Sequence, residues 1–113
     1  MHELGIATEI CQTVARLAGG RKLLAVTVDV GVLAGVAVDA LEFCITEVAR
    51  DTGLGEPEIT IATLGATMEC ACGNRYTVTD PLDACPSCGG YSRKIASGLD
   101  IIIREIKVEE ETK

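Results

Sequence analysis

Four cysteines lie within a span of nineteen residues, Cys70 and Cys72 in "ECACGN" and Cys85 and Cys88 in "ACPSCGG". Thiolates repel one another, so two close pairs separated by a twelve-residue loop call for a soft cation between them, and two short chelating turns can wrap a tetrahedral Zn²⁺. Gly73 and Gly89 follow the pairs and leave the backbone free to turn and point amides at sulfur. The second pair has the C-x2-C spacing of a zinc knuckle, whereas the first is a tighter C-x-C. A disulfide pair or an iron centre are the alternatives to zinc that this pattern leaves open.

A chain of 113 residues can build one compact core with a small appendage, and not two full domains. It is 48% hydrophobic with three aromatic residues, so the core must be made of Val, Ile, Leu and Ala. The net charge of −7 has the wrong sign for a partner whose affinity comes from phosphate neutralisation. Near the cysteines only Arg75, Arg93 and Lys94 are basic, and Asp80 and Asp83 lie in the loop, so no basic stripe for nucleic acid is expected. The closing "VEEETK" reads as a solvated strand end. His2 and Glu3 stand where a secretory leader would be basic and then apolar, and no apolar run approaches the roughly 20 residues that cross a bilayer. A cytosolic location without membrane attachment is the expectation. In that reducing compartment clustered cysteines serve as metal ligands more often than as disulfides.

Hydrophobic periodicity outlines the frame. Leu4, Ala7, Cys11, Val14 and Ala18, widened by Ile10 and Leu17, predict an amphipathic helix over 4–18, stopped by Gly19 and Gly20. Leu24, Val26, Val28 and Val30 alternate with Thr27 and Asp29 and predict a half-buried strand over 23–32. Val38, Leu41, Ile45 and Val48 predict a second helix to Arg50, ended by "TGLGEP". Strands are expected again at "EITIATL" and at "LDIIIREIKVE", where Ile102, Ile106 and Val108 share a parity. The implied fold class is α+β, with two helices on a three-stranded mixed sheet and an inserted zinc-ribbon-like lobe. The expected boundaries are 1–66 and 97–113 for the body and 67–96 for the lobe, inserted at the end of a hairpin. With only Tyr76, Val78 and Leu82 as its main apolar residues, the lobe is expected to have no core of its own and to be held by metal. Cys11 and Cys44, on or beside helical stripes, read as small buried hydrophobes.

Chemistry is narrowed by what is missing. His2 is the single histidine, so no nucleophile has an imidazole partner, and neither GxxxxGK[ST] nor GxGxxG occurs. The chain does not read as an enzyme. A histidine at position 2 is commonly an exposed side chain of no purpose. Its alternative reading is a chelate, because the terminal amine, the neighbouring amides and the His2 imidazole can offer Ni²⁺ or Cu²⁺ a square-planar nitrogen set. Met1 should persist in the mature chain, since histidine is a bulky second residue.

At this point the chain resembles the HypA/HybF family of hydrogenase nickel-incorporation proteins. The resemblance rests on Met1-His2-Glu3-Leu4, on "VDVGVLAGVAVDALEF" from Val28 to Phe43, on the cysteine pairs and on "SGLDIIIREIKVE", and covers essentially all 113 residues. It implies a nickel metallochaperone acting with a HypB-type GTPase on the [NiFe] hydrogenase large-subunit precursor, as a monomer or weak homodimer. It also implies nickel as transient cargo on the Met1 amine, on His2 and on the backbone at Glu3, and structural zinc on Cys70, Cys72, Cys85 and Cys88. Some members of the family also serve urease. The chain departs from the family where the first pair is usually C-x2-C, which would put the earlier cysteine at Glu69. Either Cys70 still binds zinc, or Glu69 contributes an oxygen and Cys70 is spare. A zinc-ribbon regulator or nucleic-acid adaptor without nickel delivery is the competing function, and a red iron-based redox protein is a third.

Overall fold

A computed structural model describes residues 3–80 and 82–110. Helix α1, Glu3–Ala18, buries Ala7, Ile10, Cys11, Val14 and Ala18. It packs against α2, Val38–Asp51, which buries Leu41, Ile45 and Ala49. The Cys11 thiol lies 3.9 Å from the Ile45 carbonyl in that seam, while Cys44 is only half-buried. Gly19 and Gly20, at φ 60 and 88, take the left-handed turn that ends α1, and the Arg21 side chain donates to the Ala18 carbonyl at 2.8 Å. After α2, Gly53 turns at φ 78 and Leu54 folds inward to 5% exposure, its carbonyl accepting the Leu23 N–H at 3.0 Å. Among the described residues no helix is long and apolar enough to cross a membrane.

Strand β1, Leu23–Gly31, β2, Glu58–Leu64, and β6, Ile101–Val108, form a mixed three-stranded sheet in the order β2-β1-β6. With the two helices this is the α+β frame expected from the sequence. The strands before and after the cysteine region both pair with the first strand, as expected, but they lie on opposite sides of it and so do not form a hairpin with each other. β1 is buried at six of its nine positions, so it takes the centre, and the half-buried β2 and β6 take the edges.

Several side chains also point elsewhere than expected. Leu4, Leu17 and Leu24 are more than half exposed, and Leu23 replaces Leu24 inside. In β6 the covered parity changes along the strand: Ile101 and Ile103 are half-buried, then Ile106 and Val108, which leaves Ile102 outside. A strict alternation cannot describe a strand whose inward face changes midway.

The cysteine region has a sheet of its own, which the sequence did not announce. β3, Ala66–Cys70, pairs antiparallel with β4, Arg75–Val78, and with β5, Arg93–Ser97, in the order β4-β3-β5. Ala66, Met68 and Cys70 alternate inward from β3 and join Tyr76, Val78 and Cys85 in a buried cluster against which Val32 and Leu33 pack. The expectation of a lobe with no core is therefore corrected. Met68 supplies the bulk that Leu82, 79% exposed, does not.

The chain divides into two compact units: the described residues of 1–28, 36–62 and 102–113 form one, and 29–35 with 63–101 form the other. Within the second, backbone approaches backbone at two glycines. The N–H groups of Gly31 and Leu33 donate to the carbonyls of Asp100 and Gly98 at 2.8 and 2.9 Å. A Cβ on Gly31 would fall on the Gly98 carbonyl, and one on Gly98, at φ 117, would overlap Ala66. Gly98→Ala should therefore cost about 3 kcal/mol or more, from overlap and a forbidden φ together. Gly35→Ala, at φ 69 in open space, should cost about 1–2 kcal/mol. Denaturant unfolding of the two variants checks the difference, and equal losses would contradict the packing described.

Candidate metal centres

The first cysteine pair is built on the end of a strand. Cys70 closes β3, its N–H donating to the Asn74 carbonyl at 2.8 Å, and its own carbonyl accepts the Gly73 N–H at 2.9 Å. That turn, with Gly73 at φ 95, carries Cys72 back beside Cys70. The second pair is held by a similar knuckle, in which Gly89, at φ 71, donates to the Cys85 carbonyl at 2.8 Å and Cys85 donates to the Gly90 carbonyl at 3.1 Å. Among the donors that face the sulfurs are the Gly90 N–H at 3.4 Å from Cys88 Sγ and Asn74 Nδ2 at 3.7 Å from Cys85 Sγ.

The four Sγ atoms of Cys70, Cys72, Cys85 and Cys88 all lie within 4.8 Å of one another. Cys70 and Cys88 are 3.6 Å apart, and Cys72 and Cys85 are 3.7 Å apart. A zinc ion with bonds to sulfur of about 2.3 Å gives a tetrahedron whose edges are about 3.8 Å, so the donor set and its spacing fit that ion. Glu69 is elsewhere: it is exposed on β3 and pairs with Arg75 at 3.2 Å. Pleating turns alternate residues to opposite faces, which puts Cys70 inward and Glu69 outward.

Taken as thiols, Cys72 and Cys85 are unequal. Burial pushes Cys85 up, but N–H donation from Cys88, Ser87 and the Asn74 side chain outweighs it and brings the group from 9.0 down to about 6. Cys72 also receives an N–H, from Asn74, yet the neighbouring Cys70 thiol, burial and the other two sulfurs lift it to about 12. The donors around Cys85 thus favour its thiolate.

Sequence reasoning missed the groups that hold the second loop. Arg93 donates to the Tyr76 hydroxyl at 3.0 Å and to the Asp83 carbonyl, and its guanidinium lies 5.3 Å from the centre of the Tyr91 ring. Tyr91 in turn donates to the Leu82 carbonyl at 3.2 Å. The one available signal was an arginine two residues after Tyr91, in a chain with three aromatics.

Of the residues singled out at the chain start, Met1 and His2 lie outside the described residues. Glu3 opens α1, and its carboxylate accepts the Ala37 N–H at 3.1 Å.

The family described as hydrogenase/urease nickel incorporation, metallochaperone, HypA, matches residues 1–108. A hydrogenase maturation factor HypA from Geobacter metallireducens is 38% identical over 110 residues, covering 96% of this chain and all of the relative. Another, from Chlorobium phaeobacteroides, is 35% identical with the same coverage. The solution structure of the nickel metallochaperone HypA from Helicobacter pylori shares the fold, with a TM-score of 0.66 at 15% identity over 98% of this chain and all of that one.

Two outcomes follow from the sulfur geometry. Cys70→Ser should weaken zinc binding by more than about 100-fold, beyond what the loss of a group behind a ligand costs, whereas Glu69→Ala should leave it unchanged; competition with a chelating dye reads both. Zinc loading at pH 7 should release fewer than four protons, because the N–H donors around Cys85 lower that thiol to about 6. Calorimetry in buffers of different ionisation heat counts them, and a count of four would contradict the Cys85 environment.

Proposed function

The chain belongs to the HypA family of hydrogenase and urease nickel-incorporation metallochaperones, and from that membership we propose that it carries Ni²⁺ on its first residues and hands it on during hydrogenase maturation. The observation that carries this reading is the family match over residues 1–108, which takes in both Met1-His2-Glu3 and all four cysteines.

On this reading the two metals have opposite jobs. Zinc bound by Cys70, Cys72, Cys85 and Cys88 has its coordination sphere closed by four thiolates, with no position left for water or substrate, so it shapes the lobe and does no chemistry. Nickel is cargo. Its donors are the Met1 amine, the His2 imidazole and amide, and the backbone at Glu3. A competing ligand can remove such an ion one donor at a time from a chain end. An affinity in the micromolar range, about −8 kcal/mol, suits loading followed by release. Transfer of this kind is ligand exchange and needs no catalytic residue, which agrees with the lack of any nucleophile and base pair.

The nickel-binding domain we assign to residues 1–66 and 97–113, and the zinc-binding lobe to 67–96. The recipient is the [NiFe] hydrogenase large-subunit precursor, with a HypB-type GTPase as the companion, in the cytosol and without nucleic acid or membrane. The name of the family leaves urease as a second recipient of the same chemistry.

Native mass spectrometry of the untagged protein titrated with Ni²⁺ tests the assignment. One zinc is expected in the unmodified chain, in His2→Ala and in a variant with extra residues before Met1. One nickel is expected in the first alone. Nickel retained by all three would place the cargo elsewhere.

A further inference from the structure

The four cysteines are not equally placed. Cys70 is 7% exposed and Cys85 1%, while Cys72 and Cys88 are exposed. The separations of 3.6 Å between the sulfurs of Cys70 and Cys88, and of 3.7 Å between those of Cys72 and Cys85, each join a buried cysteine of one knuckle to an exposed cysteine of the other. Within each knuckle the backbone is fixed by its own bonds: Cys70 to Asn74 and Gly73 to Cys70 in the first, Gly89 to Cys85 and Cys85 to Gly90 in the second. A disulfide inside a pair would have to close over one or two residues whose backbone those bonds already hold. A disulfide across the pairs needs only that one turn move toward the other, until the sulfurs are about 2 Å apart.

We propose that the cysteine cluster is a redox site as well as a zinc site: a hydroperoxide converts it to two disulfides, Cys70 with Cys88 and Cys72 with Cys85, which releases zinc while the two knuckles stay joined. This inference rests on the zinc reading above. The thiolate of an exposed cysteine, Cys88 in the first pair, attacks hydrogen peroxide; an S–O bond forms, the O–O bond breaks, and the departing hydroxide takes up a proton, leaving a sulfenic acid. Cys70 then attacks the Cys88 sulfur, so that the S–S bond forms, the S–O bond breaks and a second hydroxide leaves as water. Two thiolates, one peroxide and two protons thus give one disulfide and two waters, the sulfurs losing the two electrons that peroxide gains. Cys72 and Cys85 repeat the sequence. Each disulfide removes two of the four zinc donors, and after both none remains.

Zinc lost in this way differs from zinc taken by a chelator. Chelation leaves four thiols and no link between the knuckles. Oxidation leaves two covalent links, anchored at Cys70 and Cys85, which belong to the buried cluster with Met68, Tyr76 and Val78. The lobe therefore keeps its fold when it gives up its ion. A dithiol reverses the change by exchange and restores the donors. Disulfides formed in a reducing compartment are characteristically transient and report on oxidants, which suits a staple that can be exchanged for another.

The test uses the unmodified full chain with its zinc, titrated with hydrogen peroxide in the presence of a zinc-sensing dye. Two peroxides should be consumed per zinc released, and a dithiol with added zinc should restore the starting protein. At limiting peroxide, thiols that remain are capped with N-ethylmaleimide and the protein is cut with trypsin. Cleavage after Arg50, Arg75 and Arg93 puts the first pair on peptide 51–75 and the second on 76–93. The two peptides should stay linked, with caps on Cys72 and Cys85 or on Cys70 and Cys88. Separate peptides with internal disulfides, caps in any other combination, sulfinic acid in place of disulfide, or zinc retained under a large excess of peroxide would each overturn the proposal. Amide exchange at Met68 and Val78 should stay slow in the oxidised, zinc-free protein and become fast in the reduced protein stripped by a chelator; equal loss of protection in both would also contradict it. A purified chain without zinc would sink the zinc reading and this inference together, whereas zinc that is present and resists peroxide sinks the inference alone.

Discussion

Convergence of four sulfur atoms is the constraint on which the cysteine unit depends. β3 and β4 are joined by the turn that holds Cys72, and the loop from β4 to β5 returns through the knuckle of Cys85 and Cys88. Each knuckle is closed by short backbone bonds around its own cysteine, but sulfur separations of 3.6 and 3.7 Å join one knuckle to the other. Thiolates at that distance repel, and a soft dication reverses the sign of the interaction. The small cluster around Met68, Tyr76 and Val78 then has a lid, with Cys70 and Cys85 belonging to the apolar core and the sulfur cluster at once.

On the proposed function, nickel and zinc make different demands on the polypeptide. A structural ion wants donors from separate turns, closed coordination and buried sulfur. A cargo ion wants donors that are contiguous, few and easily displaced. Two neighbouring residues and a free amine meet the second demand with no fold at all. What a fold can add is orientation.

Much of this was readable from the residues. The helices were legible because Ala7, Cys11, Val14 and Ala18, then Leu41 and Ile45, keep a helical period with glycines at the ends. The convergence of the four cysteines was legible from their spacing. Individual burial was less so, since Leu4, Leu17 and Leu24 are as apolar as their buried neighbours and only packing decides which one faces inward. The second sheet went unread because β3 and β4 are five and four residues long and share their sequence with the first knuckle. The clasp of Arg93 with Tyr76 and Asp83, and the cap that Glu3 lends to Ala37, are contacts between distant positions, which no local period encodes.

Delivery is the proposal that matters most, and on the proposed function it turns on the free amine of the first residue. The direct measurement is transfer of radioactive nickel from the loaded protein to purified metal-free hydrogenase large-subunit precursor. The unmodified protein would be compared with the same protein acetylated at its N-terminus. The account predicts transfer from the former and none above free nickel from the latter; equal transfer from both would contradict it.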